Sequence, residues 1–498
     1  MAKKFLALLI VLVMVLSMIP AVSAAEETTE VVIPSYTVND AGWVAINGAG
    51  KFNDWFRATT VDSIISASDK LNQAVDAKLV LTNDVSMNVL ARIGNTLDGG
   101  EDDNGNPIED RPDPVHNIII DMNGHNITAT GNHRVFEVYN SNLTIINSKE
   151  EGGNITAAGA YNAVGGMFYV NNGSLTLSNV NLYRTKATAS TIAKGGILGT
   201  NKSVVLLQDC VLDASGSASV QQGGVLYVAN YSDVTLNNCE IKGGSVYTGL
   251  INNKADTTDR GGNVYIAGGT VTMNGGTISG GRTPYRGGNI YLDSVSSTFV
   301  LNYGTVEDGI AQDTEHDTGA ARGSNIYVYK GTVIMHGGTI KNGNYLKGDY
   351  SSYNVNGANM YLESNEGTYF YMYGGELVHE TCLSFSGAGG NMTKGANAVA
   401  LLYGGKFTLP SLTSKNRTFT YEASATCSTV SEWNENGEFI ITPNNTPVAG
   451  EVVAATCTAA GYTNYKCADC EDTFIADIVA PTGHTPVAID AKSATCTE

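Results

Sequence analysis

The stretch that decides the fold is Gly-Gly-Asn-Val-Tyr-Ile-Ala-Gly-Gly-Thr-Val-Thr-Met-Asn-Gly-Gly-Thr-Ile-Ser, residues 261–279. It contains three short runs in which apolar and polar residues alternate, at 264–266, 270–273 and 277–279. This period of two is typical of β-strands that bury one face. Glycine and asparagine separate the runs, because tight turns need a left-handed backbone that other residues resist. The stretch therefore predicts three strands joined by tight turns.

The opening hexamer of this stretch recurs along the chain, with small residues replacing the glycine pair in some copies. The copies begin at Gly165, Gly195, Gly223, Gly261, Gly287, Gly323, Gly357 and Gly395. Successive starts are 30, 28, 38, 26, 36, 34 and 38 residues apart, so each repeat contains one segment of variable length. Repeats of this size indicate a solenoid in which each coil contacts mainly its neighbours. We predict an all-β, single-stranded parallel β-helix of about ten coils over residues 62–410.

The N-terminal end of this region predicts a cap. Residues 62–78 carry Ile64, Ile65, Leu71 and Val75 near helical spacing, and such a helix would cover the open end of the stack. With three strands per coil, Asn-Gly-Gly corners and this helix, the region resembles the right-handed parallel β-helix of the pectate-lyase-like superfamily. The resemblance implies a saccharide cleft between the first-strand face and a wall of loops.

The remaining segments are defined by composition. Lys3 and Lys4, an apolar run and small residues before Ala25 predict a signal peptide over residues 1–24. We therefore expect an exported protein, secreted or attached to the cell surface, with no transmembrane segment in the mature chain. The predicted boundaries are an extension at 25–61, a connecting β segment at 411–450 and a cysteine-rich module at 451–498. With 29 Lys and Arg against 48 Asp and Glu, the net charge of −19 argues against a nucleic-acid partner.

Two columns of side chains flank the edge at which the variable segments emerge. One is aromatic and comprises Tyr169, Tyr227, Tyr265, Tyr291, Tyr327 and Tyr361. The other is basic and comprises Lys194, Arg260, Arg286, Arg322 and Lys394. Two interpretations are open. The tyrosines and arginines could stack on each other between coils, or they could bind a glycan through aromatic faces and guanidinium groups.

Candidate catalytic and calcium-binding residues lie in acidic loops. Glu307, Asp308, Asp313, Glu315, His316 and Asp317 offer acids and a histidine near the expected cleft, as do Asp256 and Asp259. Hydrolysis would need two suitably separated carboxylates, but no motif of the family's polygalacturonases or pectate lyases is present. Asp102, Asn104 and Asn106, followed by Glu109 and Asp110, alternate like calcium ligands, yet Pro107 stands where an EF-hand has glycine. A plain acidic loop is the simpler interpretation.

The eight cysteines fall into two groups. Cys210 and Cys239 occupy equivalent places in neighbouring repeats, which predicts either two stacked thiols or a disulfide. Near the C-terminus, Ala-Ala-Thr-Cys-Thr at 454–458 returns as Ser-Ala-Thr-Cys-Thr at 493–497, and this module looks like the short cysteine repeats of clostridial surface proteins. Its Cys457, Cys467, Cys470 and His484 could bind zinc or, for the cysteines, form disulfides. We expect the second copy to be truncated, with any anchor downstream.

These patterns give one functional expectation and one alternative. We expect a secreted or cell-surface, adhesin-like stalk that binds host or cell-wall polysaccharides without catalysis. The alternative is a polysaccharide lyase or glycoside hydrolase that acts between the first-strand face and the long loops.

Overall fold

The computed structural model describes these residues: 43–46, 76–88, 90–94, 115–159, 163–185, 192–216, 220–246, 250–251, 254–255, 259–284, 286–312, 322–346, 357–379, 391–409, 422–423, 428–431, 433–443, 448–454, 461–466 and 473–479. Three parallel sheets dominate this part of the chain. Each strand pairs with the equivalent strand of the next coil, as when Val264, Tyr265 and Ile266 pair with residues 290–292. The protein is therefore a parallel β-helix, as the repeats predict.

The first sheet contains ten strands or parts of strands, one from each complete coil that is described. These are Ala91–Ile93, Phe136–Tyr139, Phe168–Asn171, Leu198–Asn201, the start of Leu226–Lys242, the start of Val264–Ser279, Ile290–Leu292, Ile326–Val328, Met360–Leu362 and Met392–Lys394. The expected number of about ten coils is confirmed.

The second and third sheets follow the first around each turn. The second sheet contains Trp43–Ile46, Asp76–Leu81, Asn117–Asp121, Asn142–Ile146, Ser174–Ser178, Val204–Gln208, Gly331–Met335, Thr368–Met372, Val399–Leu402, Glu422–Ala423, the middle of the two longest strands and the start of Ser297–Glu307. The third sheet contains Val85–Met87, Ile127–Ala129, Asn154–Ala157, Asn181–Arg184, Val211–Asp213, Thr339–Lys341, Glu376–Val378, Gly405–Thr408 and the ends of those three long strands.

The core lies between the three sheets and is built from columns of equivalent side chains. Val271, Phe299, Val333 and Phe370 are in register across four consecutive coils, and all four are buried. Burying one such side chain contributes about 1.5–3 kcal/mol. Because every strand alternates, its other residues point outward and form columns of their own.

The glycine pair of each hexamer makes the corner before the first sheet. Gly261 has a φ of +67°, a conformation that other residues rarely adopt. A Cβ atom on Gly262 would lie 2.0 Å from the carbonyl oxygen of Gly288 in the next coil. The first glycine is therefore needed for backbone conformation, and the second for close contact between coils.

The variable segments leave the coils at one edge, as the sequence predicts. Their bases pair in parallel, both in Arg282–Thr283, Ile310–Gln312 and Asn344–Leu346 and in Ile192–Lys194 with Val220–Gln222. Backbone bridges also join Arg260, Arg286 and Arg322. A short antiparallel pair, Leu250–Ile251 with Lys254–Ala255, lies within one of these segments.

Two sequence predictions need correction. The predicted helix at 62–78 cannot include its last three residues, because Asp76–Leu81 is a strand; residues 62–75 lie outside the described part. The last repeat begins six residues earlier than the sequence predicts. Met392 pairs with Met360 in the first sheet, so the hexamer is Gly-Gly-Asn-Met-Thr-Lys at 389–394 and not the one that starts at Gly395.

Beyond Glu422–Ala423, which still pairs in parallel with the last coil, the described strands are antiparallel. Glu438–Pro443 pairs with both Gly405–Thr408 and Ser428–Val430, so residues assigned to the connecting segment extend the main sheet. Val448–Val453, Gly461–Lys466 and Thr473–Val479 form a separate antiparallel sheet, which begins three residues before the predicted start of the cysteine module at 451. A helix long and hydrophobic enough to cross a bilayer is absent from the described part of the chain.

Candidate functional site

The predicted tyrosine column exists and is in register. Tyr227, Tyr265, Tyr291, Tyr327 and Tyr361 occupy the same position in five consecutive coils. Their ring centroids are 5.1–5.5 Å apart and neighbouring planes differ by 7–18°. All five side chains are buried, with Tyr291 and Tyr327 at 0% exposure. Each inner ring is therefore covered on both faces by its neighbours.

The basic column lies against these rings. Arg260, Arg286 and Arg322 place their guanidinium carbons 5.1, 5.0 and 4.8 Å from the ring centroids of Tyr291, Tyr327 and Tyr361. Each arginine thus covers the tyrosine of the following coil, within the range of a cation–π contact. Lys194 covers Tyr227 in the same way, at 4.9 Å.

One predicted member of the basic column lies elsewhere, and one further basic residue contacts the tyrosines without having been predicted. Lys394 lies in the first sheet opposite Leu362, because the last repeat begins earlier than expected. Arg134, which the hexamer search did not find, lies 5.0 Å from the ring of Tyr169 and donates to the carbonyl oxygens of Val164 and Gly165. The coil of Arg134 has no glycine pair, so the hexamer does not mark it. The position of Arg134 shortly before the strand at 136–139 is the sequence feature that could have identified it.

Two carboxylates balance most of the positive charge. Glu363 lies 3.6 Å from Arg286 and 3.4 Å from Arg322, and it accepts a hydrogen bond from the hydroxyl of Tyr327. Asp293 lies 3.7 Å from Arg260. Burial is the main cause that raises the pKa of Tyr291 and Tyr327 above the ordinary value. The column is an internally paired stack, as the first of the two interpretations describes. A ligand role for its seven candidates, Tyr265, Tyr291, Tyr327, Tyr361, Arg260, Arg286 and Arg322, stays a prediction.

A ladder of buried asparagines, which the repeats did not predict, lies under the same edge. The third residues of the later hexamers are Asn263, Asn289, Asn325, Asn359 and Asn391, all buried. Each of the first four side chains donates to the amide oxygen of the next at 2.7–2.8 Å. Each also joins two backbone groups: Asn325 donates to the carbonyl oxygen of Lys341 at 2.7 Å and accepts from the Gly309 amide at 2.9 Å. Buried polar groups that are fully paired in this way fix one register of the coils.

The outward face of the second sheet has a different character. Over five coils its outward residues are all uncharged: Thr270, Thr272, Thr298, Val300, Thr332, Ile334, Tyr369, Tyr371, Val399 and Leu401. All ten are half-buried, and we call this surface the tyrosine face. Tyr369 and Tyr371 lie on one strand with ring centroids 6.2 Å apart and planes 12° from parallel. This arrangement presents two nearly parallel aromatic rings on a rigid sheet.

A short aromatic column borders the tyrosine face. The rings of His336 and Tyr373 lie 5.1 Å apart, and those of Tyr373 and Tyr403 lie 4.8 Å apart. Burial lowers the pKa of His336 to about 4, so this ring is neutral at physiological pH. Beyond this column, on the third sheet, charged side chains are paired: Lys341 with Glu307 at 3.0 Å, and Lys406 with Glu376 and Glu438 at 3.1 Å.

Of the other predicted site residues, Asp259 is buried and Glu307 pairs with Lys341, and most of the rest lie outside the described residues. Cys457, Cys467, Cys470 and His484 lie outside them, as do the calcium candidates at 102–110 and the loop acids at 313–317. Among the described residues, no group of three or more His, Cys, Asp or Glu side chains could hold a metal ion. Zinc and calcium therefore stay predictions.

Comparison with known proteins found no match to a family model, to a curated protein or to a solved structure. The fold and the two tyrosine arrangements are the evidence from which a function can be argued.

Proposed function

We propose that this protein is a secreted or cell-surface β-helix that binds glycans without catalysis, through the tyrosine face. The observation that carries the proposal is the half-buried pair Tyr369 and Tyr371, held side by side on one strand of a rigid sheet. Tyrosine combines a large apolar ring with a polar hydroxyl, and it loses little conformational entropy on binding. Such a pair suits a pyranose ring, which offers apolar C–H groups on its faces and hydroxyls at its edge.

The charge of the tyrosine face specifies the class of glycan. No outward residue between Thr270 and Leu401 on this face is charged, while the whole chain carries −19. A polyanion would be repelled at long range and would find no cation on the face to pair with. We therefore propose a neutral polysaccharide as the ligand. Uronic acid or sulfated chains would instead require the arginines of the first sheet, which already contact tyrosines, Asp293 and Glu363.

The cellular setting belongs to the same proposal. A signal peptide at 1–24, the likeness of the repeats to the pectate-lyase-like superfamily and the clostridial-type cysteine repeats near the C-terminus support an extracellular, adhesin-like protein. Whether the C-terminal cysteines hold zinc or form disulfides stays open, because both chemistries suit a cysteine-rich module of an exported chain.

The proposal is tested by binding of the full chain to immobilised neutral and acidic polysaccharides. The double substitution Tyr369→Thr and Tyr371→Thr removes both rings but keeps a residue that the same face carries at Thr298 and Thr332. We expect wild type to be retained on neutral polysaccharides, and the double variant to lose at least about tenfold in affinity, since two aromatic contacts are removed.

A matched control removes an exposed tyrosine elsewhere. Tyr231 is 78% exposed at a turn with a φ of +62°, a conformation that asparagine tolerates, so Tyr231→Asn should bind as wild type does. Equal retention of the double variant and wild type would refute the assignment to the tyrosine face. Release of unsaturated or reducing ends would refute the non-catalytic part and support the lyase or hydrolase alternative.

A further inference from the structure

Cys210 and Cys239 occupy the same corner in two consecutive coils. In each coil a residue in the left-handed conformation precedes the cysteine: Asp209 has a φ of +51° and Asn238 has the same value. This conformation turns the following side chain into the core, as Asn179 does for the buried Val180 one coil earlier. Both cysteines are consequently buried, at 1% and 2% exposure, and both are free thiols.

The two residues are direct neighbours across the sheet. Val211 pairs with Glu240, so the preceding cysteines stand opposite each other, and the Glu240 amide donates to the carbonyl oxygen of Cys210 at 2.8 Å. Neighbouring strands lie about 4.8 Å apart, which falls within the Cα separation of about 4.4–6.8 Å that disulfides span. The backbone therefore already meets the distance requirement for a bond.

One of the two side chains already leans toward the coil of its partner. The Sγ atom of Cys239 lies 3.2 Å from the carbonyl oxygen of Leu207, which belongs to the coil of Cys210. The Sγ atom of Cys210 lies 3.1 Å from the carbonyl oxygen of Gln208 in its own coil and 3.5 Å from that of Leu177 in the preceding coil, so forming the bond requires this side chain to rotate toward Cys239. The thiol of Cys239 thus points toward the coil that carries its partner.

We propose that Cys210 and Cys239 form a disulfide between consecutive coils when the chain folds under oxidising conditions. When it folds under reducing conditions, they remain free thiols that an oxidant cannot reach. Glutathione disulfide or a protein disulfide would be the oxidant. One cysteine thiolate attacks it and releases one thiol, and the second cysteine displaces the other thiol from the mixed disulfide. Two cysteine thiols lose two electrons and two protons, and the oxidant gains them as two thiols.

The burial of both sulfur atoms determines when the bond can form. An oxidant cannot reach a sulfur atom that is 1–2% exposed, and the thiolate is the species that attacks. Burial is the main cause that raises the pKa of the Cys239 thiol, which makes its thiolate scarce. The bond must therefore form before the two coils close, and the redox conditions during folding decide which form persists.

We expect the disulfide to stabilise the folded chain by linking two consecutive coils. The bond would close a loop of 29 residues, from 239 minus 210, which is one coil of the helix. Closing a loop of this size lowers the entropy of the unfolded chain, so we expect the unfolding midpoint to rise by several degrees.

The test refolds the full chain with either glutathione disulfide or a reducing agent and then maps its peptides by mass spectrometry. We expect a peptide linked through Cys210 and Cys239 only in the oxidatively refolded sample. In the reductively refolded sample, both cysteines should resist alkylation and diamide until denaturant is added. Mapping identifies this bond separately from the other six cysteines, and it requires no variant.

A variant measures the contribution to stability. The substitutions Cys210→Val and Cys239→Val place at both corners the residue that the preceding coil carries as Val180. The difference in unfolding midpoint between oxidised and reduced protein should fall by several degrees in this variant. Absence of the linked peptide after oxidative refolding would overturn the proposed bond. If an oxidant readily forms the bond in the folded, reduced protein, the proposal that burial protects the two thiols is wrong.

Discussion

The first and second sheets both carry tyrosines on outward positions, yet the two sets have opposite surroundings. On the first sheet, Tyr291 lies between two other tyrosines under the guanidinium of Arg260 and is fully buried. On the second sheet, Tyr371 is half-exposed beside Ile334 and Leu401. The residue type and the alternation are the same. The difference comes from the neighbours, because an arginine side chain lies against Tyr291, whereas the side chains paired with Tyr371 are uncharged.

The largest effect should come from removing a ring inside the buried stack. Tyr291→Ala deletes a side chain with 0% exposure that contacts a ring on each side, so the free energy of unfolding should fall by about 3–5 kcal/mol. Tyr291→Phe keeps the ring and loses only the hydrogen bond from Arg260 at 2.8 Å, which should cost about 1 kcal/mol. Denaturant unfolding compares the two. Equal costs would show that the hydroxyl, and not ring packing, holds the column.

The asparagine ladder should give the next largest effect, since it fixes the register on which the buried stack depends. Asn325→Ala leaves the Gly309 amide and one amide hydrogen of Asn289 without their acceptor, which should cost about 2–3 kcal/mol. As a control, Asn142 also lies in a chain of side-chain hydrogen bonds but at a half-exposed outward position, so Asn142→Ala should cost less than about 1 kcal/mol. A similar loss in both variants would mean that burial does not distinguish the two ladders.

The sequence predicted the architecture well for a physical reason. Strand alternation and glycine corners are local signals, and their repetition fixes which residues become neighbours in successive coils, such as Tyr265 and Tyr291. The sequence alone could not distinguish a column of outward-pointing residues that is buried from one that is accessible to solvent. The alternation at Tyr291 and Tyr371 is alike, and only the three-dimensional position of Arg260 and of the segment bases separates them. The start of the last repeat was ambiguous as well. Small-residue pairs at 389–390 and at 395–396 both match the hexamer, and only the strand pairing distinguishes them.

A third prediction concerns pH and the column that borders the tyrosine face. The pKa of His336 falls from 6.5 to about 4 on folding because the ring is largely removed from water. In the unfolded chain, His336 therefore binds a proton below pH 6.5. In the folded chain, it binds this proton only near pH 4. The stability that His336 contributes is present above pH 6.5 and is lost as the pH falls toward 4, by about 3 kcal/mol in total.

His336→Tyr provides the matched measurement for this prediction. It keeps an aromatic ring where the next two coils carry Tyr373 and Tyr403, but it removes the titrating group. Unfolding midpoints at pH 7 and pH 4.5 should differ less in the variant than in wild type. An unchanged pH dependence would show that other groups cause the acid sensitivity and that His336 is as solvated as an exposed side chain.

The smallest effect on stability should come from the tyrosine face, and this makes it the sharpest test of the contrast between the sheets. Tyr371→Thr introduces the residue that stands at the equivalent place in Thr272, so strand propensity and register are kept. Because the ring is half-buried on the outward side of the sheet, the free energy of unfolding should change by less than about 1 kcal/mol. Denaturant unfolding of Tyr371→Thr beside Tyr291→Ala gives the comparison directly. If Tyr371→Thr costs as much as Tyr291→Ala, its ring is part of the packed structure, and the second sheet offers no aromatic surface to a glycan.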